Sequence, residues 1–262
     1  MRTKVSVALN GTELHTLDAA IILQSVNEAA PSWNITAVDR GNRIGQRVTG
    51  FQKRYRDVSI VFAIDEQDPR RRSEILGKVS AWAAGGGDLT VSYRERQKLH
   101  VMCVGLMQVQ GVEKYGSTYQ VTLRAYSVPM WQDMDLTGVS LTSLASGSAV
   151  IRVAATGGGV LSCHATNNSG SACGTIAVGC NGKMIQLTSA GLASGETLII
   201  DYTDTDVQRI LAGSGNSWRS LLDKRTVASD DDVILQRGEN TVNVVADVAL
   251  DWTLYTFGRW IG

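Results

Sequence analysis

The chain has 262 residues, of which 44% are hydrophobic, so it is long enough for one or two domains with sizeable cores. Its 25 basic and 25 acidic residues balance, which argues against nucleic acid as the main ligand, because phosphate binding is built on an excess of lysine and arginine. No apolar run reaches the roughly 20 residues of a membrane helix, and the amino terminus lacks the apolar core of a secretion signal. We therefore expect synthesis in the cytoplasm and no membrane partner.

The first quarter of the chain predicts mostly extended structure. Polar and apolar residues alternate at the amino terminus, which indicates a first strand. Residues 19–28 fit either a short helix or a buried strand, and the pattern does not choose between them. Residues 38–55 are rich in arginine and glycine and have few apolar positions, which is typical of an extended loop or an exposed hairpin. Residues 57–64 then alternate as a strand.

One helix is strongly indicated in the front half of the chain. Asp68 suits the N-cap and Pro69 the first helical position. The apolar residues that follow recur at helical spacing on one side: Ile75, Leu76, Val79, Trp82 and Ala83. Glycines 85–87 end the helix, and further strands are predicted between residues 89 and 126.

A change of composition separates the two halves of the chain. Residues 133–148 are polar, rich in small side chains and without a strong period, so we place a linker there. The expected domains are 1–136 and 137–262. The second is predicted to be an all-β sandwich, and its best local signal is Asn181-Gly182, a favoured hairpin pair because both residues tolerate positive φ.

Three motifs follow one another in the last third of the chain. A Gly195-Glu196 turn leads into an apolar run that ends on Asp201. A Gly238-Glu239-Asn240 turn then leads into alternating valines, and a strand rich in tryptophan and tyrosine, starting at Trp252, closes the chain. Taken one at a time, these motifs are ordinary strand and turn patterns that any β-sandwich contains.

In this order the three motifs resemble the rear half of siphophage distal tail proteins. The front half adds a capped helix with Trp82 near its end, a strand hairpin, a long strand and Pro129-x-Trp131, so the resemblance spans nearly the whole chain. Arg237 stands where that family usually has proline. The resemblance implies a mainly β fold with one main helix: a tail-tube-like β-barrel with a helix in front and a galectin-like β-sandwich behind.

The resemblance also implies a function. Such proteins form a ring, expected to be a hexamer, that joins the tail tube to the tail tip or baseplate and anchors host-recognition proteins. The implied partners are further copies of the chain, the tail-tube protein, the baseplate hub protein and a receptor-binding protein, while DNA passes through the lumen without specific binding. The protein would be made in the host cytoplasm and reside in the virion, at the tail tip.

Signatures of catalysis or cofactor binding are missing from the sequence. No nucleophile elbow, metalloprotease or phosphate-loop motif occurs, so we predict no enzyme activity and no cofactor. The histidines (His15, His100 and His164) and the cysteines (Cys103, Cys163, Cys173 and Cys180) form no metal-binding pattern, and we expect reduced thiols. The aspartates at 201, 204, 206 and 230–232 are interpreted as a solvated acidic rim rather than a calcium site.

Two clusters of arginine are the candidate contacts between subunits. They are Arg40, Arg43, Arg47 and Arg54 in the glycine-rich segment, and Arg70, Arg71 and Arg72 in the first helical turn. Cations are unfavourable at a helix N-terminus by a few tenths of a kcal/mol each. The second cluster is therefore either exposed and tolerated or paired with carboxylates of a neighbouring subunit.

A second function stays open from the sequence: a sandwich of the tail tip that itself binds host glycan. Sugar binding needs aromatic side chains beside polar groups. The candidates in the rear half are Trp218, Trp252 and Trp260, although the commoner fate of tryptophan is core packing.

Overall fold

The structure is a computed structural model that describes residues 5–39, 46–109, 117–203 and 207–261. The chain divides into two compact units. The first comprises Met1–Trp131 with Ile261–Gly262, and the second comprises Gln132–Trp260. The described residues are mainly β with one α-helix, as the sequence predicts.

The first unit is an antiparallel sheet with a helix. Its described elements are β1 (Val7–Leu9), β2 (Thr12–Glu13), β3 (Ile21–Glu28), β4 (Trp33–Asp39), β5 (Gln46–Lys53), β6 (Arg56–Ile64), α1 (Pro69–Ala84), β7 (Gly87–Val91), β8 (Gln97–Gln108) and β9 (Ser117–Ala125). The strand order is β3-β6-β9-β8-β7-β1-β2, and β4 and β5 form a separate two-stranded sheet. The segment that fitted either a helix or a strand is therefore strand β3, and the arginine-rich segment contains a hairpin.

The helix forms as the sequence predicts. The Asp68 side chain accepts a hydrogen bond from the backbone N–H of Arg70 at 2.9 Å, and Pro69 occupies the first helical position. Ile75, Val79 and Ala83 are buried on one side of the helix. In β6 and β9 every second residue is buried, which gives the sheet one core face.

The expected barrel of the first unit is not closed in the described part of the chain. β2 and β3 are the two ends of the sheet, and no ladder joins them. The reason is that β1 and β2 have only three and two residues, after which a 3₁₀ turn, Leu14–Thr16, leads to β3. A cavity of about 170 Å³ lies beside this turn and is lined by Val5, Ser6, Val7, Leu14, His15, Ile21 and Leu23.

The second unit is all-β apart from one 3₁₀ turn, Leu222–Lys224, in the residues described. Its strands are β10 (Trp131–Val153, which begins at the last residue of the first unit), β11 (Gly159–Val160), β12 (Ser162–Thr166), β13 (Ile176–Cys180), β14 (Lys183–Leu187), β15 (Thr197–Tyr202), β16 (Gln208–Ser214), β17 (Ser217–Ser220), β18 (Ile234–Leu235) and β19 (Gly238–Trp260). The predicted Asn181-Gly182 hairpin joins β13 to β14, with φ of 56° and 77°.

The last strand, β19, organises the second unit because it belongs to two sets of strands. Its residues 242–246 pair with β13, which pairs with β14. Its residues 251–255 pair with β12, which continues to β15, β16 and β17. Side chains from both sets, among them Val244 and Leu254, share one core with β10. One strand that changes partner along its length therefore brings two sets of strands around a shared core.

The segment 133–148, expected to be a linker, is strand instead. It lies within β10, which is hydrogen-bonded to β19. The small and polar composition gives no sign of a strand, because the segment pairs through its backbone and buries few side chains. Gly138 shows why a small residue is needed, since a Cβ there would lie 2.5 Å from the carbonyl oxygen of Leu254.

We expect Gly138→Ala to destabilise the protein by roughly 2–4 kcal/mol, because β10 and β19 would have to separate locally. The matched control is Gly147→Ala in the same strand, where the added carbon would meet only the flexible Leu144 Cδ1, at 3.1 Å. The free energy of unfolding in urea measures both changes. Equal losses for the two variants would contradict the close packing of these strands.

Candidate assembly surface

Strand β3 leaves one side of its backbone without a partner strand in the described chain. It pairs only with β6. The N–H of Ala29 donates to the carbonyl oxygen of Asp57 at 2.9 Å, and hydrogen-bonded and non-bonded positions alternate along an antiparallel pair. The N–H groups of Val26 and Glu28 therefore point away from β6. Such an edge is a template for pairing with another chain.

Apolar side chains are exposed on the face of the same sheet that points away from its core. Ile22 of β3 is 46% exposed, and Met102 and Met107 of β8 are 58% and 60% exposed. Exposing large apolar side chains to water is unfavourable, and burying them against another surface is favourable. This part of the first unit therefore has the composition of a contact surface.

The hairpin of β4 and β5 stands apart from the main sheet, since its strands pair only with each other in the described residues. Ile35 is 62% exposed. Residues 33–54 contain five basic residues and one acidic residue. A two-stranded hairpin is only marginally stable alone in water, so this hairpin is expected to gain stability from a surface that covers it.

The root of the hairpin is firmly held. Ser32 N–H donates to the Tyr55 carbonyl oxygen at 2.7 Å, and Arg54 N–H donates to the Ser32 carbonyl oxygen at 2.9 Å. The guanidinium of Arg124 lies 3.9 Å from the centre of the Tyr55 ring and makes two hydrogen bonds to Asp57. The hairpin therefore begins from a fixed position at the end of β3.

Glu28, at the end of β3, is the centre of a polar cluster. Its carboxylate accepts hydrogen bonds from Tyr93 Oη at 2.7 Å, from Arg94 Nε and Nη2 at 2.8 and 2.7 Å, and from Trp131 Nε1 at 2.8 Å. Burial alone would raise the pKa of Glu28, but these donors outweigh it and hold the pKa below its ordinary value. Trp131 belongs to the Pro129-x-Trp131 motif that the sequence analysis used for the family resemblance, whereas nothing in the sequence pointed to Glu28.

Arg56 is a second buried polar residue that sequence analysis missed. It starts β6, is only 2% exposed, and donates from Nη2 to the carbonyl oxygen of Ile261. Burial lowers the pKa of Arg56, while the Glu28 carboxylate raises it. The contact attaches the end of the described chain to the first unit.

The helical arginines have three different environments. Arg70 is exposed and makes no ion pair with any residue that the structure describes. Arg71 pairs with Asp18 at 2.8 Å and with Glu74 at 3.1 Å, both in its own chain. Arg72 is buried on the core side of the helix, with Nη1 3.5 Å from Ser117 Oγ.

Of the four arginines in the glycine-rich segment, the structure describes two. Arg40 and Arg43 lie outside the described residues, and Arg47 lies in β5. Arg54 is exposed at the root of the hairpin and makes no ion pair within the described chain. Arg54 therefore belongs to the hairpin, whereas Arg70, Arg71 and Arg72 belong to the helix.

The histidines do not come together with one another. His15 pairs with Glu13 and His100 with Asp88, each at 3.0 Å. His164 is 3.1 Å from the Tyr255 hydroxyl, and burial lowers its pKa. Each of these rings therefore has a local structural partner.

The remaining candidates form no recognisable reactive site. All four cysteines are free thiols, and burial raises the pKa of Cys163 to about 12. The described residues hold no group of three or more His, Cys, Asp and Glu placed to bind a metal ion; Asp204 and Asp206 lie outside them. Within the same residues, no helix has the length and apolar composition needed to cross a bilayer.

The fold, with an open sheet, a helix and a hairpin in one unit and an all-β second unit, is similar to that of two solved phage proteins. Over 98% of its length the chain is similar to 99% of the SPP1 Dit (gp 19.1) protein, described as a paradigm of the hub adsorption apparatus in phages that infect Gram-positive bacteria. The TM-score is 0.73 at 11% sequence identity. The fold-level resemblance to distal tail proteins is therefore confirmed.

A second solved structure extends this likeness. Over 97% of each chain, the protein is similar to a chain of the phage P2 baseplate in its activated conformation with Ca, with a TM-score of 0.53 and 6% identity. No protein-family model matches the sequence, and neither does any curated protein. At identities of 11% and 6%, the folds are similar although few residues are identical.

We expect Glu28→Gln to destabilise the protein by roughly 2–4 kcal/mol at pH 7, because the buried donors would lose their charged acceptor. The pKa of Glu28 is lower in the folded state, so the wild-type advantage is complete above the ordinary value of 4.5 and is lost as the pH falls through the folded-state pKa. Urea unfolding at several pH values checks this. The exposed Glu74→Gln serves as control, and a difference from wild type that does not shrink on acidification would contradict the prediction.

Proposed function

We propose that the protein is a distal tail protein of a long-tailed phage, with a structural rather than an enzymatic role. The observation that carries the proposal is the fold likeness to the SPP1 Dit protein, which extends over 98% of this chain and 99% of that one. A likeness confined to one unit would suit any β-sandwich, whereas here both units and their order along the chain correspond.

In this proposal, copies of the chain form a closed ring, expected to be a hexamer. The open edge of β3 supports it, because in a ring each copy's edge can pair with the next copy and no edge remains at the end. The exposed apolar side chains of the same sheet, Ile22, Met102 and Met107, support it too. They would be covered by the neighbouring copy.

The hairpin and its arginines would make further contacts between copies. Arg54 and Arg70 are exposed without an ion pair in the described chain, so both can reach carboxylates of a neighbour, as guanidinium groups do well. The proposal also includes Arg40, Arg43 and Arg47, because they contribute to the net basic charge of the hairpin segment. Arg71 and Arg72 already serve their own unit, as an ion-paired and a buried residue.

The ring would join the tail tube to the tail tip or baseplate. The domain 1–136 would form the ring, and the domain 137–262, proposed to be galectin-like, would hold host-recognition components such as a receptor-binding protein. The zero net charge of the chain suits a lumen that DNA passes without being held. The protein would be made in the host cytoplasm and end in the virion, at the tail tip.

The first test is the mass of the native particle. Six copies of the 28.1 kDa chain give 6 × 28.1, or 168.6 kDa. We expect this mass by native mass spectrometry and ring-shaped particles by electron microscopy. A protein that stays at the mass of one copy at high concentration would refute the ring.

The second test blocks the open edge of β3. Val26→Pro removes an N–H that points away from β6, so the β3–β6 ladder keeps its bonds while pairing with a further strand is prevented. We expect the particle to dissociate into single copies that remain folded by circular dichroism. Val26→Ala, which keeps the N–H, is the control and should assemble like wild type. Assembly of the proline variant would show that the copies do not meet at this edge.

A further inference from the structure

The structure separates the three tryptophans that the sequence offers for sugar binding. Trp252 is buried in the core of the second unit and donates its indole N–H to the Leu144 carbonyl oxygen at 2.9 Å. The indole N–H of Trp260 donates to Asp133 at 2.6 Å, and its ring packs against the core. Trp218 is 42% exposed. Of the three, Trp218 has the ring surface that a ligand can reach.

The Trp218 ring is held in place by its own hairpin. Its indole N–H donates to the Gly215 carbonyl oxygen at 3.0 Å, in the turn between β16 and β17. Gly213 is its partner across the two strands, and a Cβ at Gly213 would lie 1.9 Å from the Ser217 carbonyl oxygen. The missing side chain lets β17 lie close to β16. The ring is therefore positioned before any ligand arrives, which reduces the entropy lost on binding.

A row of polar side chains continues from Trp218 across the sheet. Gly213 pairs with Thr197, Thr197 with Thr166, and Thr166 with Asp251. Residues paired across an antiparallel sheet lie on the same face, and the alternate residues of these strands, such as Leu198, are buried in the core. The row therefore lies on the face away from the core.

The groups along this row suit a sugar. The Thr166 and Thr197 hydroxyl oxygens are 3.0 Å apart, and each hydroxyl keeps further hydrogen-bonding capacity. The carboxylate of Asp251 is oriented by Ser143 N–H and Asn168 Nδ2, both at 2.7 Å. Strands are about 4.8 Å apart, so Trp218 and Thr197 are separated by roughly 10 Å, the reach of two linked hexose rings.

We propose that this face binds a neutral oligosaccharide. One hexose ring stacks its C–H face on Trp218, and the hydroxyls of the next ring bond to Thr197, Thr166 and Asp251. The row contains a carboxylate and no cation, so an anionic sugar is repelled and a neutral one is favoured. Sugar binding by the second unit is a separate proposal from ring assembly by the first unit. The sugar-binding proposal can therefore be refuted without refuting ring assembly.

The test uses the full chain and four probes: cellobiose, maltose, lactose and chitobiose. Isothermal titration calorimetry should show saturable binding of at least one of them. With that probe, Trp218→Ala should lower the affinity about tenfold or more, since the stacking surface is lost. Trp218→Phe, which keeps an aromatic ring, should restore most of it, and Thr197→Val should lower the affinity about threefold or more.

The control is Phe257→Ala, which removes another exposed aromatic side chain of the second unit, 39% exposed, outside the row. Its affinity should equal that of the wild type. The proposal is overturned if none of the four probes binds saturably, or if Trp218→Ala binds like the wild type. It is also overturned if Trp218→Ala lowers the mass of the native particle, because the ring would then be a contact between copies.

Discussion

Backbone hydrogen bonding at the edges of sheets is the constraint on which the rest of this structure depends. Every strand must pair its N–H and C=O groups with another strand, a loop, water or a second chain. In the second unit, the loop after β17 covers the edge of β14, through Thr226 and Asp230, whose N–H groups donate to β14 carbonyl oxygens at 3.0 and 2.8 Å. In the first unit, β3 has no such cover in the described chain. This open edge is the reason for proposing β3 as a place where copies of the chain pair.

The surroundings of this edge are rigid. Glu28 ends β3 and accepts hydrogen bonds from three side chains, and Arg124 holds Tyr55 and Asp57 where the hairpin begins. A surface that is ordered before it meets its partner loses less entropy on binding. The buried polar residues of the first unit thus have a use beyond stability, since they hold an unpaired edge in a defined shape.

Several elements were predictable because their signals are local. The helix is specified by Asp68, Pro69 and the apolar spacing after them, and the β13–β14 hairpin by Asn181-Gly182. The segment 133–148 was mistaken for a linker because a strand paired mainly through its backbone needs no apolar pattern. The sheet of the first unit does not close into the expected barrel, because β1 and β2 are short and a turn follows them. No local sequence pattern shows that such a turn prevents closure.

Some features of the candidate surfaces were likewise predictable from the sequence, and others were not. The sequence by itself determined the mainly β class, the helix, the basic character of residues 38–55 and the lack of catalytic motifs, since these depend on composition and on neighbours along the chain. Only the tertiary structure decided that Glu28 meets Trp131, and that Trp218 shares a face with Thr197 and Asp251. These facts depend on contacts between residues far apart in sequence, and local patterns do not reveal which distant segments meet.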